Sequence, residues 1–188
     1  AKHRNIPAYY YVCPQVWASR EYRAKTIVRL AKKMFVIFPF ETKIYTDIGG
    51  DAVFLGNPLL DLIPQEKPKT YESGRLKEWK IGLLPGSRPR EIIKHTKLFY
   101  KSFLEIKHSF PNAKASFFAV PELADKDIYE LLGTNTPQDF TVVRENDYSK
   151  RSDMDFVITC SGTATLENAL LGLPMIVVYK TSWTIYQI

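Results

Sequence analysis

Cysteine and histidine are scarce in this 188-residue sequence, and their scarcity excludes several classes of protein. Cys13 and Cys160 lie far apart and show neither disulfide nor ligand spacing, so a reducing compartment is expected rather than a disulfide-stapled fold. His3, His95 and His108 form no metal-binding pattern, and no metal is expected. No apolar run approaches the roughly 20 residues a membrane-crossing helix needs, and the opening residues do not read as a signal peptide. Glycine motifs of several nucleotide enzymes are missing. Gly-x-Gly-x-x-Gly does not occur, which disfavours NAD, and no Gly-x-x-x-x-Gly-Lys-Ser/Thr loop supports a P-loop ATPase. Thr159 stands two positions before Ser161, so the Gly-x-Ser-x-Gly elbow of hydrolases is absent. No recognisable nucleic-acid module is present, and neither nucleic acid nor a cofactor is expected.

What is present is enough for a substantial core: 45% apolar residues, 13% aromatic and 24% charged. The length suits one large domain or two small ones. The net charge of +6 is uneven, with 13 basic and 8 acidic groups in residues 1–79 against 13 and 12 in residues 80–188. Within the first 34 residues, eight basic groups face only Glu21. Such a positive region suits nucleic acid, a sugar nucleotide or an anionic membrane surface, and charge does not choose among them.

Strand-forming residues occur at 8–12, 35–38 and 52–55, alternating with helical patterns at about 18–33 and 40–48. At ~100° per residue, Ala24, Ile27, Val28, Leu30, Ala31 and Met34 share one side of the first helix. Tyr22, Lys25, Arg29, Lys32 and Lys33 share the other, either as a solvated face or as one that meets acidic lipid headgroups with Trp17 and Tyr22 at the interface. The rhythm is lost over 56–79, which is rich in proline and charge. From Lys80 it resumes, with strands at 81–84, 115–120, 140–143, 156–158 and 175–178. Helices are expected at about 91–109, 122–132 and 165–171, a short one near 148–152, and another from Ser182 onward. The expected class is α/β, with two Rossmann-like parallel-sheet domains of which the N-terminal one is incomplete.

Two turns carry the functional reading. If the second domain has strand order 3-2-1-4-5, its first and fourth strands are neighbours and the loops after them share the crevice at the topological switch point. These loops are Leu84-Pro85-Gly86-Ser87-Arg88 and Thr159-Cys160-Ser161-Gly162-Thr163, and each opens a helix. Two helix N-termini and the planar fork of Arg88 make a diphosphate site, although Gly86-Ser87 also reads as an ordinary turn with a serine N-cap. Glu167, in the first turn of its helix, either hydrogen-bonds a ribose or caps the helix against Ser161 or Thr163.

Several motifs, taken together and in order, resemble lipid-A-disaccharide synthase, a bacterial inverting glycosyltransferase family of the two-domain GT-B fold. They are Tyr11-Val12-Cys13-Pro14-Gln15-Val16-Trp17-Ala18, Phe38-Pro39-Phe40-Glu41 and Gly56-Asn57-Pro58-Leu59-Leu60-Asp61. Leu83-Leu84-Pro85-Gly86-Ser87-Arg88 with Glu91-Ile92, and Ser161-Gly162-Thr163-Ala164-Thr165-Leu166-Glu167, complete the set. Ser19 stands where the family often has tryptophan, and Asn57 where it often has histidine. Because family members are about twice as long, the resemblance implies a central fragment, inactive by itself. Residues 1–61 would be the later part of an acceptor and membrane-facing domain, 62–79 the connection, and 80–188 most of the donor domain.

The implied reaction transfers 2,3-diacylglucosamine from its UDP carrier to 2,3-diacylglucosamine 1-phosphate, forming the β-1,6 disaccharide of lipid A and UDP. Gly86, Ser87, Arg88, Ser161, Gly162, Thr163 and Glu167 are then the UDP-binding residues. Trp17, Arg20, Tyr22 and Arg29 face the acceptor or the membrane. The acidic stretch credited with the general base lies outside this sequence. The resemblance further implies a Gram-negative source and a cytoplasmic enzyme held peripherally on the anionic inner-membrane surface; oligomeric state is left open. Other readings are another UDP-sugar GT-B enzyme, such as an epimerase or a peptidoglycan glycosyltransferase, and a non-catalytic nucleotide- or lipid-binding module.

Overall fold

The computed structural model describes residues 6–18, 20–64, 78–134 and 138–180. The chain divides into two compact units, Ala1–Leu62 and Ile63–Ile188. Most of the connection predicted over 62–79 and the helix predicted from Ser182 lie outside the described residues.

In the first unit, β1 (Tyr9–Tyr11), β2 (Lys33–Val36) and β3 (Ala52–Phe54) form a parallel sheet in the order β1-β2-β3. Helices α1 (Tyr22–Leu30), α2 (Pro39–Thr46) and α3 (Leu59–Leu62) complete it. The first helix is shorter at both ends than the 18–33 span predicted. Arg20 takes a left-handed φ of 61°, which ends helical geometry ahead of Glu21, and Lys33 is drawn into β2 opposite Tyr9. Ala24 and Ile27 of α1 pack with Met34, Val36 and Tyr45 in a small core. Leu30, predicted on the inner face, is half exposed.

The second strand also stops early, at Val36 rather than Phe38. The reason is the Glu41 carboxylate, buried in the first turn of α2. Its Oε2 accepts hydrogen bonds from the Ile37 and Phe38 amides at 3.2 and 3.1 Å, and its Oε1 accepts one from Trp17 Nε1 at 3.0 Å. Two amides that would extend the strand are thus turned onto a helix cap.

The second unit is a five-stranded parallel sheet: β4 (Lys80–Leu84), β5 (Lys114–Phe118), β6 (Phe140–Val143), β7 (Phe156–Cys160) and β8 (Met175–Val178). Its order is β6-β5-β4-β7-β8, the doubly wound 3-2-1-4-5 arrangement. Central strands β4 and β7 are buried along nearly their whole length, which fits their continuous apolar sequences. The helices are α4 (Pro89–Ser109), α5 (Asp125–Leu132), α6 (Ser149–Ser152) and α7 (Thr163–Leu170). On α4, Ile92, His95, Thr96, Phe99 and Phe103 form the buried stripe that helical spacing dictates. Phe99 and Phe103 join Ile81, Leu83, Phe117, Ile128 and Ile158 in the main core.

Candidate functional site

Because β4 and β7 are adjacent and parallel, with Leu84 opposite Thr159, their following loops leave the sheet side by side. The strand ends open onto a cleft of about 420 Å³. All seven residues predicted for the nucleotide line it: Gly86, Ser87, Arg88, Ser161, Gly162, Thr163 and Glu167. The closeness of the loops is measurable at Gly86, where φ is +112° and a methyl group would meet Glu91 Oε2 at 2.6 Å and Cys160 Sγ at 3.0 Å. Only glycine suits that backbone and that spacing.

The local sequence explains each wall. Pro89 begins α4 two residues earlier than predicted, since its fixed φ and missing N–H suit the first helical position. The N-cap is therefore Arg88, not Ser87. Glu91 accepts from the Arg88 amide at 3.3 Å through Oε2 and from Arg88 Nη1 at 2.9 Å through Oε1. This leaves the Arg88 side chain mostly in solvent at the cleft mouth, 81% exposed. Behind the loop, buried His95 accepts the Lys180 amide on Nε2 at 3.0 Å, so its Nδ1 carries the proton that Pro85 O receives at 3.2 Å. His95 thereby ties the first loop to the chain just after β8.

On the other side α7 starts at Thr163, also two residues early. In its first turn the Thr165 amide donates to Gly162 O at 3.1 Å, while Thr163 and Ala164, whose amides precede the first intrahelical bond, line the cleft. Glu167 consequently lies in the second turn, too far along to cap the helix, and the capping alternative is corrected: the N-cap has no side-chain hydrogen bond. The Glu167 carboxylate instead accepts from Arg151 Nη1 at 2.6 Å.

Arg151, Glu145 and Tyr148 were not legible as site residues. They sit on α6 and the loop after β6, and this loop reaches the same cleft from the β6 edge of the sheet. Arg151 pairs with both Glu145 and Glu167 and is packed against the rings of Phe118 and Tyr148, 5.6 and 5.3 Å from its guanidinium carbon. Burial pushes the Glu145 carboxyl above its ordinary value; Arg151 opposes this and Glu167 adds to it. Burial and the Glu167 charge likewise raise the Tyr148 phenol. The only sequence signal was a short helix near 148–152, with nothing local to mark Arg151. Beneath the cleft, burial raises the Cys160 thiol and keeps it protonated, which suits a packing role rather than a nucleophile.

Chemically, the cleft presents two helix N-termini and the cation Arg88 near a fixed carboxylate, Glu167. The helix ends favour an anion, and a carboxylate can accept hydrogen bonds from hydroxyl groups. Among the described residues, no group of three or more His, Cys, Asp or Glu side chains could hold a metal ion.

In the first unit, a second cavity of about 440 Å³ brings Arg20 and Tyr22 together with Arg23, Tyr9 and Tyr10. Trp17 and Arg29, predicted for the same face, do not line it; Trp17 is occupied by Glu41. No helix among the described residues is long and apolar enough to cross a membrane.

The parallel sheets and switch-point cleft define an α/β protein of GT-B-like fold. A structure of S. aureus MnaA with UDP aligns with a TM-score of 0.65 at 14% identity, over 95% of this chain and 52% of that one. TarM aligns at 0.50 and 13% identity, over 94% and 37%. Identities this low speak for fold alone.

The sequence narrows the class further. A family model described as lipid-A-disaccharide synthetase matches residues 1–188. The lipid-A-disaccharide synthase of Geobacter sulfurreducens is 36% identical over 192 residues, covering all of this chain and 50% of that protein. That of Syntrophus aciditrophicus is 34% identical over 199 residues with the same coverage. The chain belongs to the lipid-A-disaccharide synthetase family, whose members are glycosyltransferases. It spans about half the length of the curated relatives it matches.

Proposed function

We propose that this chain provides the donor-binding part, and some of the acceptor side, of a glycosyltransferase that joins two acylated glucosamine units. The donor is UDP-2,3-diacylglucosamine, the acceptor 2,3-diacylglucosamine 1-phosphate, and the products the β-1,6 lipid A disaccharide and UDP. The observation that carries this reading is the convergence of two glycine-serine turns on one cleft, combined with membership of the family. That MnaA, of similar fold, was solved with UDP supports the same ligand class here.

In this reading, the diphosphate lies between the N-termini of α4 and α7. Donors already fixed by the backbone stabilise the negative charge that develops on departing UDP, without having to reorganise during the reaction. Arg88 swings from Glu91 onto the phosphate oxygens, where its planar fork contacts two at once. Glu167 receives ribose hydroxyls. No residue here is assigned as general base. The cavity holding Arg20, Arg23 and Tyr22 suits an anionic, acylated molecule or the surface of an anionic inner membrane, with the enzyme on the cytoplasmic side.

Calorimetric titration of the intact protein with UDP tests the central point. Binding is expected, and Arg88→Ala should weaken it by about 1.5–3 kcal/mol, the scale of a charged hydrogen bond. Absence of UDP binding, or unchanged affinity in the variant, would overturn the site. Release of UDP only when a diacylated acceptor is supplied would separate this transferase from other UDP-sugar enzymes and from a non-catalytic binder.

A further inference from the structure

Arg151 is an uncommon residue for a cleft wall: its side chain is only 11% exposed, and its two carboxylate partners, Glu145 and Glu167, are 12% and 17% exposed. One guanidinium edge meets Glu167 and another meets Glu145, while the rings of Phe118 and Tyr148 restrict the plane. A planar cation held in this way has almost no freedom to turn. The short α6 that carries it is itself pinned: Asp147 Oδ1 accepts from the Ser149 amide at 2.9 Å and from Ser149 Oγ at 2.6 Å, and Ser152 Oγ donates to Tyr148 O at 2.9 Å.

We propose that Arg151 is a positioning residue that holds the Glu167 carboxylate in the rotamer that receives the ribose hydroxyls, and so gives the cleft its preference for a ribonucleotide over a deoxyribonucleotide. The inference rests on the proposed nucleotide site. A glutamate has three side-chain torsions, and a free one must be ordered by its ligand; Arg151 orders Glu167 beforehand. Arg151 also decides charge. Without it, Glu145 and Glu167 face one another in a poorly solvated place, where two like charges disfavour each other's ionised form. Repulsion between the two carboxylates would then turn Glu167 out of the rotamer that receives the ribose. Arg151 Nε and, apart from the ion pair, both oxygens of Glu145 make no hydrogen bond among the described residues, so this cluster is not optimised for stability alone.

The experiment compares UDP with 2′-deoxy-UDP by calorimetry on the intact wild-type protein, Arg151→Met, Arg151→Lys and Glu167→Gln, with circular dichroism to check folding. Wild type should prefer UDP by about tenfold or more, the scale of a hydrogen bond to a charged group. Arg151→Met should bring the two nucleotides to similar affinity, as should Glu167→Gln, mainly by weakening UDP. Arg151→Lys keeps the charge but reaches one carboxylate, and should keep part of the preference. A structural role alone predicts equal loss for both nucleotides. An unchanged UDP to 2′-deoxy-UDP ratio in either folded Arg151 variant overturns the inference while leaving the nucleotide site intact. Wild type that binds neither nucleotide overturns the site as well.

Discussion

Replacing Gly86 by alanine tests whether the cleft depends on the close approach of its two loops. The added methyl would stand 2.6 Å from Glu91 Oε2, 2.8 Å from Glu91 Cβ and 3.0 Å from Cys160 Sγ, at a φ of +112°. The backbone strain is worth about 1–3 kcal/mol, and forcing atoms into packed neighbours about the same. If Glu91 is displaced from the Arg88 amide, loss of that cap adds about 1 kcal/mol. Together these amount to about 3–7 kcal/mol, a large share of an ordinary folding free energy of about 5–15 kcal/mol. Gly162→Ala is the contrast. There φ is 167°, extended backbone open to any residue, and an added methyl meets nothing within 4 Å. Its stability should change by no more than about 0.5 kcal/mol, whereas the methyl narrows the cleft and should weaken UDP by about 1–3 kcal/mol. The assays are hydrogen exchange of β4 and β7 in increasing urea, and calorimetry with UDP. A Gly86→Ala protein with wild-type exchange and wild-type UDP affinity would refute the reasoning, as would a Gly162→Ala protein that is destabilised but binds normally.

Glu41→Ala leaves the Ile37 amide, the Phe38 amide and Trp17 Nε1 without their shared acceptor, and should destabilise the first unit by about 3 kcal/mol or more; unchanged hydrogen-exchange protection in β2 and α2 would contradict this. Glu145 has a raised folded-state pKa, so it binds its proton more tightly folded than unfolded. Its stabilising contribution is present below the ordinary value of 4.5 and lost as pH rises through the raised value. Glu145→Gln cannot lose a proton, so its melting temperature should fall less between pH 4.5 and pH 7 than that of the parent; identical pH profiles would show that burial does not perturb this group. Arg20→Ala and Arg23→Ala should each weaken binding to anionic vesicles by about 1 kcal/mol while leaving neutral vesicles unaffected, and equal binding to both would count against a membrane-facing first unit.

Strand positions and the order of the second sheet were legible because buried parallel strands require unbroken apolar runs, such as Ile81 to Leu84, separated by helical spacing. Gly86-Ser87 and Ser161-Gly162 pair by topology, since strand order alone brings the loops after the first and fourth strands together. Element ends were less legible. Helix α1 is limited by a left-handed arginine and by pairing of Lys33 in β2, while β2 is cut short by a glutamate cap. Each boundary depends on a competing hydrogen bond or backbone state that composition does not display.

The sequence by itself determined the alternation of strands and helices, the two turns that open α4 and α7, and the family, because these are written in local residue order. Only the tertiary structure decided what holds the cleft's carboxylate. Arg151 and Glu167 are 16 positions apart on different elements and meet only once β6 and β7 take their places around β4 and β5. Burial then turns an arginine with no distinguishing neighbours into a fixed partner, since a charge removed from water must find its counter-charge wherever the fold brings one near.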